Sequence, residues 1–133
     1  MSEVLAVGDF SRRTRGCAPS PRVFCFFEDA MRLYLSGKIT GNGNYKEGFA
    51  AGRARLENAG YEVCDPTALG LPDDVSWAAA MKHDICQMLK CDAVAMLSNW
   101  MESKGSCIEV RLAMDLGMAA QQVSVWLAKK GIY

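Results

Sequence analysis

The sequence predicts an α/β fold: a single flavodoxin- or Rossmann-like domain with a parallel sheet of four to five strands flanked by helices. Two observations carry that prediction. Short apolar runs alternate with amphipathic helical stretches from Met31 to Leu127, the pattern of βαβ crossovers. The chain is also the right size, since 133 residues, 50% of them hydrophobic, suffice for one core without cross-links.

The first 30 residues read as a leader, either mobile or a peripheral strand. Arg12, Arg13, Arg15 and Arg22 are interspersed with Gly16, Pro19 and Pro21 without helical or strand periodicity, although Val23–Phe27 would suit an edge strand. The apolar segment of a signal peptide is absent from it. The folded domain is expected to run from Met31 to Tyr133, and an upstream start would explain the leader equally well.

Arg32–Ser36 reads as the first strand and enters a glycine-rich turn at Gly37–Asn44. Tyr45, Phe49, Gly52, Leu56 and Ala59 then recur at helical spacing, and Gly60 supplies the stop. Tyr61–Cys64 is a short second strand ending at Asp65-Pro66. After a loop at Leu69–Val75, Ser76 is a good N-cap for a helix through Lys90. Asp92–Leu97 is apolar enough for a strand covered on both faces. A helix is expected over Ser106–Leu116, and Val123–Leu127 suits a fourth strand; alternatively, Met118–Gln122 would prolong the helix.

Composition narrows the function. The formal net charge is zero and no basic face is evident, which argues against nucleic acid as the main partner. No apolar run approaches the roughly 20 residues that span a bilayer. With six cysteines, no Cys-x-x-Cys pair and one histidine, a metal site is disfavoured, although His83 and Cys86 would share one helical edge. The thiols read better as small apolar residues in a reducing, cytoplasmic setting. A small anionic ligand needs only a few donors, and parallel sheets bind ligands beyond the strand carboxyl ends.

Three features stand out there. The turn from Ser36 to Gly43 would cradle a phosphate or sugar, or be simply a flexible turn; it matches neither the Walker nor the dinucleotide fingerprint. Asp84 falls on the stripe of Trp77, Met81 and Met88 that should face the sheet. A buried carboxylate is costly, so it is kept for chemistry or partners Lys82 or His83 at the edge of the face. Glu109 shares a face with Leu112, Ala113 and Leu116, yet Ser106-Cys107-Ile108-Glu109 also matches a capping box, in which Glu109 would satisfy a backbone N–H. The approach Ser103-Lys104-Gly105-Ser106 has the hydroxyls, cation and helix N-terminus of an anion site.

In order, Tyr34-Leu35-Ser36-Gly37-Lys38-Ile39-Thr40-Gly41, Asp84, and Ser103-Lys104-Gly105-Ser106-Cys107-Ile108-Glu109 resemble the nucleoside 2-deoxyribosyltransferase superfamily, most closely its small, often phage-encoded relatives of unassigned function. The nucleotide N-glycosidases are near neighbours. The likeness covers about Met31 to Leu127, and the 25-residue step from Asp84 to Glu109 adds to its specificity.

The resemblance implies cleavage or transfer at the N-glycosidic bond of a (deoxy)nucleoside 5′-monophosphate. It makes Glu109 the nucleophile, Asp84 the acid serving the departing base, and Tyr34 the hydroxyl that steadies the nucleophile. Ser103 would meet the 5′ phosphate, and Gly37, Ile39 and Gly41 would line the base and sugar pocket. Gly105 and Ser106 belong to the same anion-binding approach. No cofactor or metal is implied; the partner is a small nucleotide or nucleoside, and a homodimer or higher homo-oligomer is expected. Lys38 departs from the small residue usual in the hydrolases and would clamp phosphate or obstruct the base. The Asn42-Gly43-Asn44 stretch lacks the arginine that some nucleotide hydrolases carry. The alternative, from a different class, is a non-catalytic binder of a nucleotide or nucleotide-derived signal.

Overall fold

The computed structural model describes residues 30–72 and 74–133. The expected leader, apart from residue 30, and its possible edge strand at Val23–Phe27 lie outside the described residues. Four parallel strands, β1 (Arg32–Ser36), β2 (Glu62–Cys64), β3 (Ala93–Met96) and β4 (Ala119–Gln122), form one sheet in the order β2-β1-β3-β4. That is the flavodoxin-like order, with its switch point between β1 and β3. Tyr34 is level with Cys64 on one side and Val94 on the other.

The crossovers are α1 (Tyr45–Asn58), α2 (Trp77–Leu89) and α3 (Lys104–Asp115), and α4 (Val123–Ala128) follows β4. Short 3-10 turns precede α2 and α3, at Pro66–Ala68 and Trp100–Glu102. Among the described residues, no helix is long and apolar enough to cross a membrane.

Strand alternation sends side chains to two cores. Leu33, Leu35, Ala93 and Ala95 pack against Phe49 and Leu56 of α1 and Trp126 and Leu127 of α4. Tyr34, Val94 and Met96 face Met88 of α2 and Val110 and Ala113 of α3. Every described residue of β3 is buried, as expected of a strand covered on both faces.

Three boundaries correct the sequence reading. The fourth strand lies at 119–122, and the segment expected to be that strand, 123–127, begins α4 instead. A strand would bury Val123, Val125 and Leu127 together; the structure buries Val123, Trp126 and Leu127 and exposes Val125, which is helical spacing. Nor does α3 run on through 118–122. Gly117 takes a positive φ of 79°, its N–H reaches Met114 O at 3.0 Å, and Met118 N–H reaches Ala113 O at 2.8 Å. This paired closure turns the chain out of the helix. Finally, α3 begins at Lys104 with Ser103 as its N-cap, whose Oγ accepts the Ser106 N–H at 3.1 Å. Ser106 is therefore inside the helix and not its cap.

Candidate active site

The site grows from the carboxyl end of β1, where Tyr34 and Ser36 point to the α2/α3 side. Two residues apart on one strand, they share a face. From α3, Glu109 arrives from one turn beyond Ser106 and is only 5% exposed. Its carboxylate is held at both oxygens: Tyr34 Oη donates to Oε2 at 2.9 Å, and Ser36 Oγ donates to Oε1 at 2.7 Å. The capping-box alternative fails on this geometry, because the carboxylate is turned to β1 and away from the start of its own helix.

From α2, Asp84 is 9% exposed. The stripe on which it lies passes from Met88, fully buried, through Asp84 to a half-exposed Trp77. Ser76 starts that helix by accepting the Ala79 N–H at 3.1 Å, which sets the phase of the stripe. Among the described residues, the Asp84 carboxylate has one hydrogen-bonding neighbour, His83 Nδ1, at a long 3.5 Å. The expected edge partnership is thus limited to that contact, and Lys82 takes no part in it.

Both carboxyl groups line one cavity of about 110 Å³. Tyr34, Ser36 and Gly37 form its β1 wall, Ile39, Thr40 and Phe49 one side, and Trp77, Ala80 and Met81 the other. Pro66 and the α3 approach, Ser103, Gly105 and Ser106, complete it. Burial pushes the Glu109 carboxyl up from 4.5 to about 7; the hydroxyls of Ser36 and Tyr34 pull it back down, and nearby Asp84 adds to the rise. Burial also raises Asp84, against a downward pull from His83. The Tyr34 phenol is raised by burial and by the Glu109 charge, so it stays a proton donor.

A carboxylate held at both oxygens inside an apolar-walled cavity, facing a second carboxyl group, can act as a nucleophile or cation stabiliser beside a proton donor. Among the described residues, no cluster of three or more His, Cys, Asp or Glu side chains is arranged to hold a metal ion.

A family model described as a domain of unknown function, DUF4406, matches residues 31–122. The chain belongs to this family. The DUF4406 region opens just ahead of β1 and closes with β4, so it contains every residue lining the cavity. No curated protein matches the chain.

Of the residues singled out in the sequence, Tyr34, Gly37, Ile39, Asp84, Ser103, Gly105, Ser106 and Glu109 come together around the cavity, whereas Lys38 and Gly41 lie outside its lining. Lys38 ties two loops together instead. Its Nζ meets Glu102 at 3.3 Å, its N–H reaches Asn99 Oδ1 at 3.2 Å, and its carbonyl accepts from Asn42 at 3.1 Å. At Gly37 a Cβ would come within 2.6 Å of Leu97 Cδ1, so glycine is needed for the close approach of this turn to Leu97, just beyond β3. Lys104 sits over the Trp77 ring, 4.7 Å from its centroid, at the rim.

Sequence reasoning missed Phe49, Pro66 and Ala80 as lining residues, and gave Ser36 no role of its own beyond opening the turn read as a ligand cradle. Ser36 carried a signal: it stands two residues from Tyr34 on a strand and must share that side.

Proposed function

We propose that this protein cleaves or transfers at the N-glycosidic bond of a (deoxy)nucleoside 5′-monophosphate, with Glu109 as nucleophile. The observation that carries this reading is the Glu109 carboxylate, buried, gripped by Tyr34 and Ser36, and sharing a cavity with Asp84. The resemblance to the nucleoside 2-deoxyribosyltransferase superfamily supports it, because the same residues hold the matching places in the chain.

Glu109 attacks the anomeric carbon as the bond to the base nitrogen breaks, and the Asp84 proton passes to the departing base. Carboxylate charge stabilises the cationic sugar, and protonation neutralises the electron-rich base. Water then attacks the same carbon, giving its proton to Asp84 and freeing Glu109; a second base in place of water makes the reaction a transfer. The cavity, about 110 Å³, is smaller than the 300–1,000 Å³ usual for whole ligands. It suits the sugar, with base and phosphate reaching the rim. There Lys104, Ser103 and the start of α3 favour an anion.

The reactive form needs Glu109 ionised and Asp84 protonated. Burial holds the Glu109 carboxyl at about 7 and also raises Asp84, and the two groups interact, so a bell-shaped pH dependence set by the pair is expected. The test is chromatography of free base after incubation with a panel of nucleotides and nucleosides. Release by the native chain and a loss of at least roughly a thousandfold in Glu109→Ala would support the reading. Calorimetric binding of a nucleotide without release would replace it with the non-catalytic binder.

A further inference from the structure

Ser36 and Ser106 are 1% and 2% exposed, and an alanine would fill much the same space. Burying two hydroxyls calls for an explanation in hydrogen bonding. Their oxygens lie 2.9 Å apart, and Ser36 Oγ is 2.7 Å from Glu109 Oε1.

Each hydroxyl has a single proton, and an ionised carboxylate can only accept. The Ser36 proton therefore goes to Glu109, the charged acceptor. That leaves Ser106 to donate into Ser36. Among the described residues Ser36 is the only hydrogen-bond partner of Ser106 Oγ, while the Ser106 N–H is bound separately to Ser103. Ser106 and Glu109 stand three apart on α3, so one helix face presents both to the end of β1.

We propose that Ser36 is a positioning residue for Glu109 and that Ser106 acts through it. Together they form a directed chain of hydroxyls, Ser106 to Ser36 to Glu109, that fixes Oε1 while Tyr34 fixes Oε2. The inference rests on the reading of Glu109 as the reacting group. Donation into Ser36 polarises its O–H, strengthens its bond to the carboxylate and stops the hydroxyl from turning away. The chain favours the ionised form, both before attack and as the carboxylate departs from the sugar. Tyr34 alone would leave the carboxylate free to swing about one oxygen.

The experiment is a ¹³C NMR titration of glutamate-labelled full-length protein, with Glu109→Gln identifying the Glu109 resonance. Removing a bond to a charged group moves a midpoint by about one pH unit, so Ser36→Ala should raise that of Glu109 by that amount. Ser106→Ala should raise it by a smaller step. The double variant should go no further than Ser36→Ala alone, because Ser106 has no other route to the carboxylate. Ser36→Cys, a weaker donor, should fall between native and alanine, and it carries the test if Ser36→Ala fails to fold. The pH profile of base release should shift with the midpoint.

An unmoved midpoint in a folded Ser36 variant, or fully additive shifts in the double variant, would overturn the proposal and reduce both serines to a strut between β1 and α3. Shifts in the titration with no base released by the native chain would uphold the hydroxyl chain and overturn the glycosidic reading.

Discussion

The two faces of the sheet are built from alternate residues of the same strands, yet they are filled differently. On the α1/α4 side, Leu33 and Leu35 meet Phe49, Leu56, Trp126 and Leu127. The polar atoms buried there are paired structurally: Trp126 Nε1 donates to Val94 O at 3.0 Å, and Tyr61 Oη donates to Trp126 O at 2.7 Å. The α2/α3 side is apolar around Met88, Val94 and Ala113 but turns polar where Tyr34, Ser36, Asp84, Ser106 and Glu109 gather. One face is optimised for packing. The other holds two carboxyl groups away from water, where burying them is costly.

The largest expected effect lies on the apolar face. Trp126→Ala removes a side chain 3% exposed, its bond to Val94 and its edge-on contact with Tyr61 at 5.8 Å. A loss of about 3–5 kcal/mol is expected. Urea denaturation checks it, and a loss below about 1 kcal/mol would break the division between the faces.

On the polar face the sign should reverse. Burial holds the folded Glu109 carboxyl at about 7, against an ordinary 4.5, so the folded chain binds this proton more tightly than the unfolded one. The stability this adds is complete below 4.5 and is lost as the pH rises through 7. Glu109→Gln has nothing to ionise. Its lead over the native chain should therefore grow from pH 4.5 to pH 7 and then level off. A plateau of about 1–3 kcal/mol is expected, since a tenfold change in proton affinity is worth about 1.4 kcal/mol and the lost hydroxyl-to-carboxylate bonds offset part of the gain. Thermal melts across that range measure it, and a difference independent of pH would mean that the carboxylate costs the fold nothing.

Legibility in the sequence follows the same division. Alternating strands and 3.6-residue helices follow from burial periodicity, so the first three strands and the first three helices could be read directly. Asp84 was visible because a carboxylate on an apolar stripe breaks that period. Ser36 was legible only as the start of the glycine-rich turn, and its contacts with Ser106 and Glu109 appear only once β1 and α3 are brought together. Glu109 was ambiguous because two serines three residues apart, Ser103 and Ser106, can each begin a helix. Ser103 does so, accepting the Ser106 N–H. The fourth strand was misplaced because the Val-Ser-Val-Trp-Leu run has strand composition, whereas only tertiary burial reveals its helical spacing.

The smallest effect sharpens the comparison inside the polar face itself, between two glycines of the cavity wall. A Cβ at Gly37 would meet Leu97 Cδ1 at 2.6 Å and Leu97 Cβ at 3.0 Å, and an atom so close to the backbone cannot swing clear. A Cβ at Gly105 would meet Met81 Sδ at 2.9 Å, the mobile end of a flexible side chain. Gly105 also lies in the first turn of α3, where alanine suits the helix better. Gly37→Ala should therefore cost about 1–3 kcal/mol by overpacking. Gly105→Ala should change stability by less than about 1 kcal/mol while pressing Met81 into the cavity. Its signature is weaker nucleotide binding at an almost unchanged melting temperature, read by calorimetry beside thermal melts. Equal destabilisation by both variants would mean that the wall beside Glu109 is as tightly packed as the opposite core, and that the cavity has no yielding side to admit a ligand.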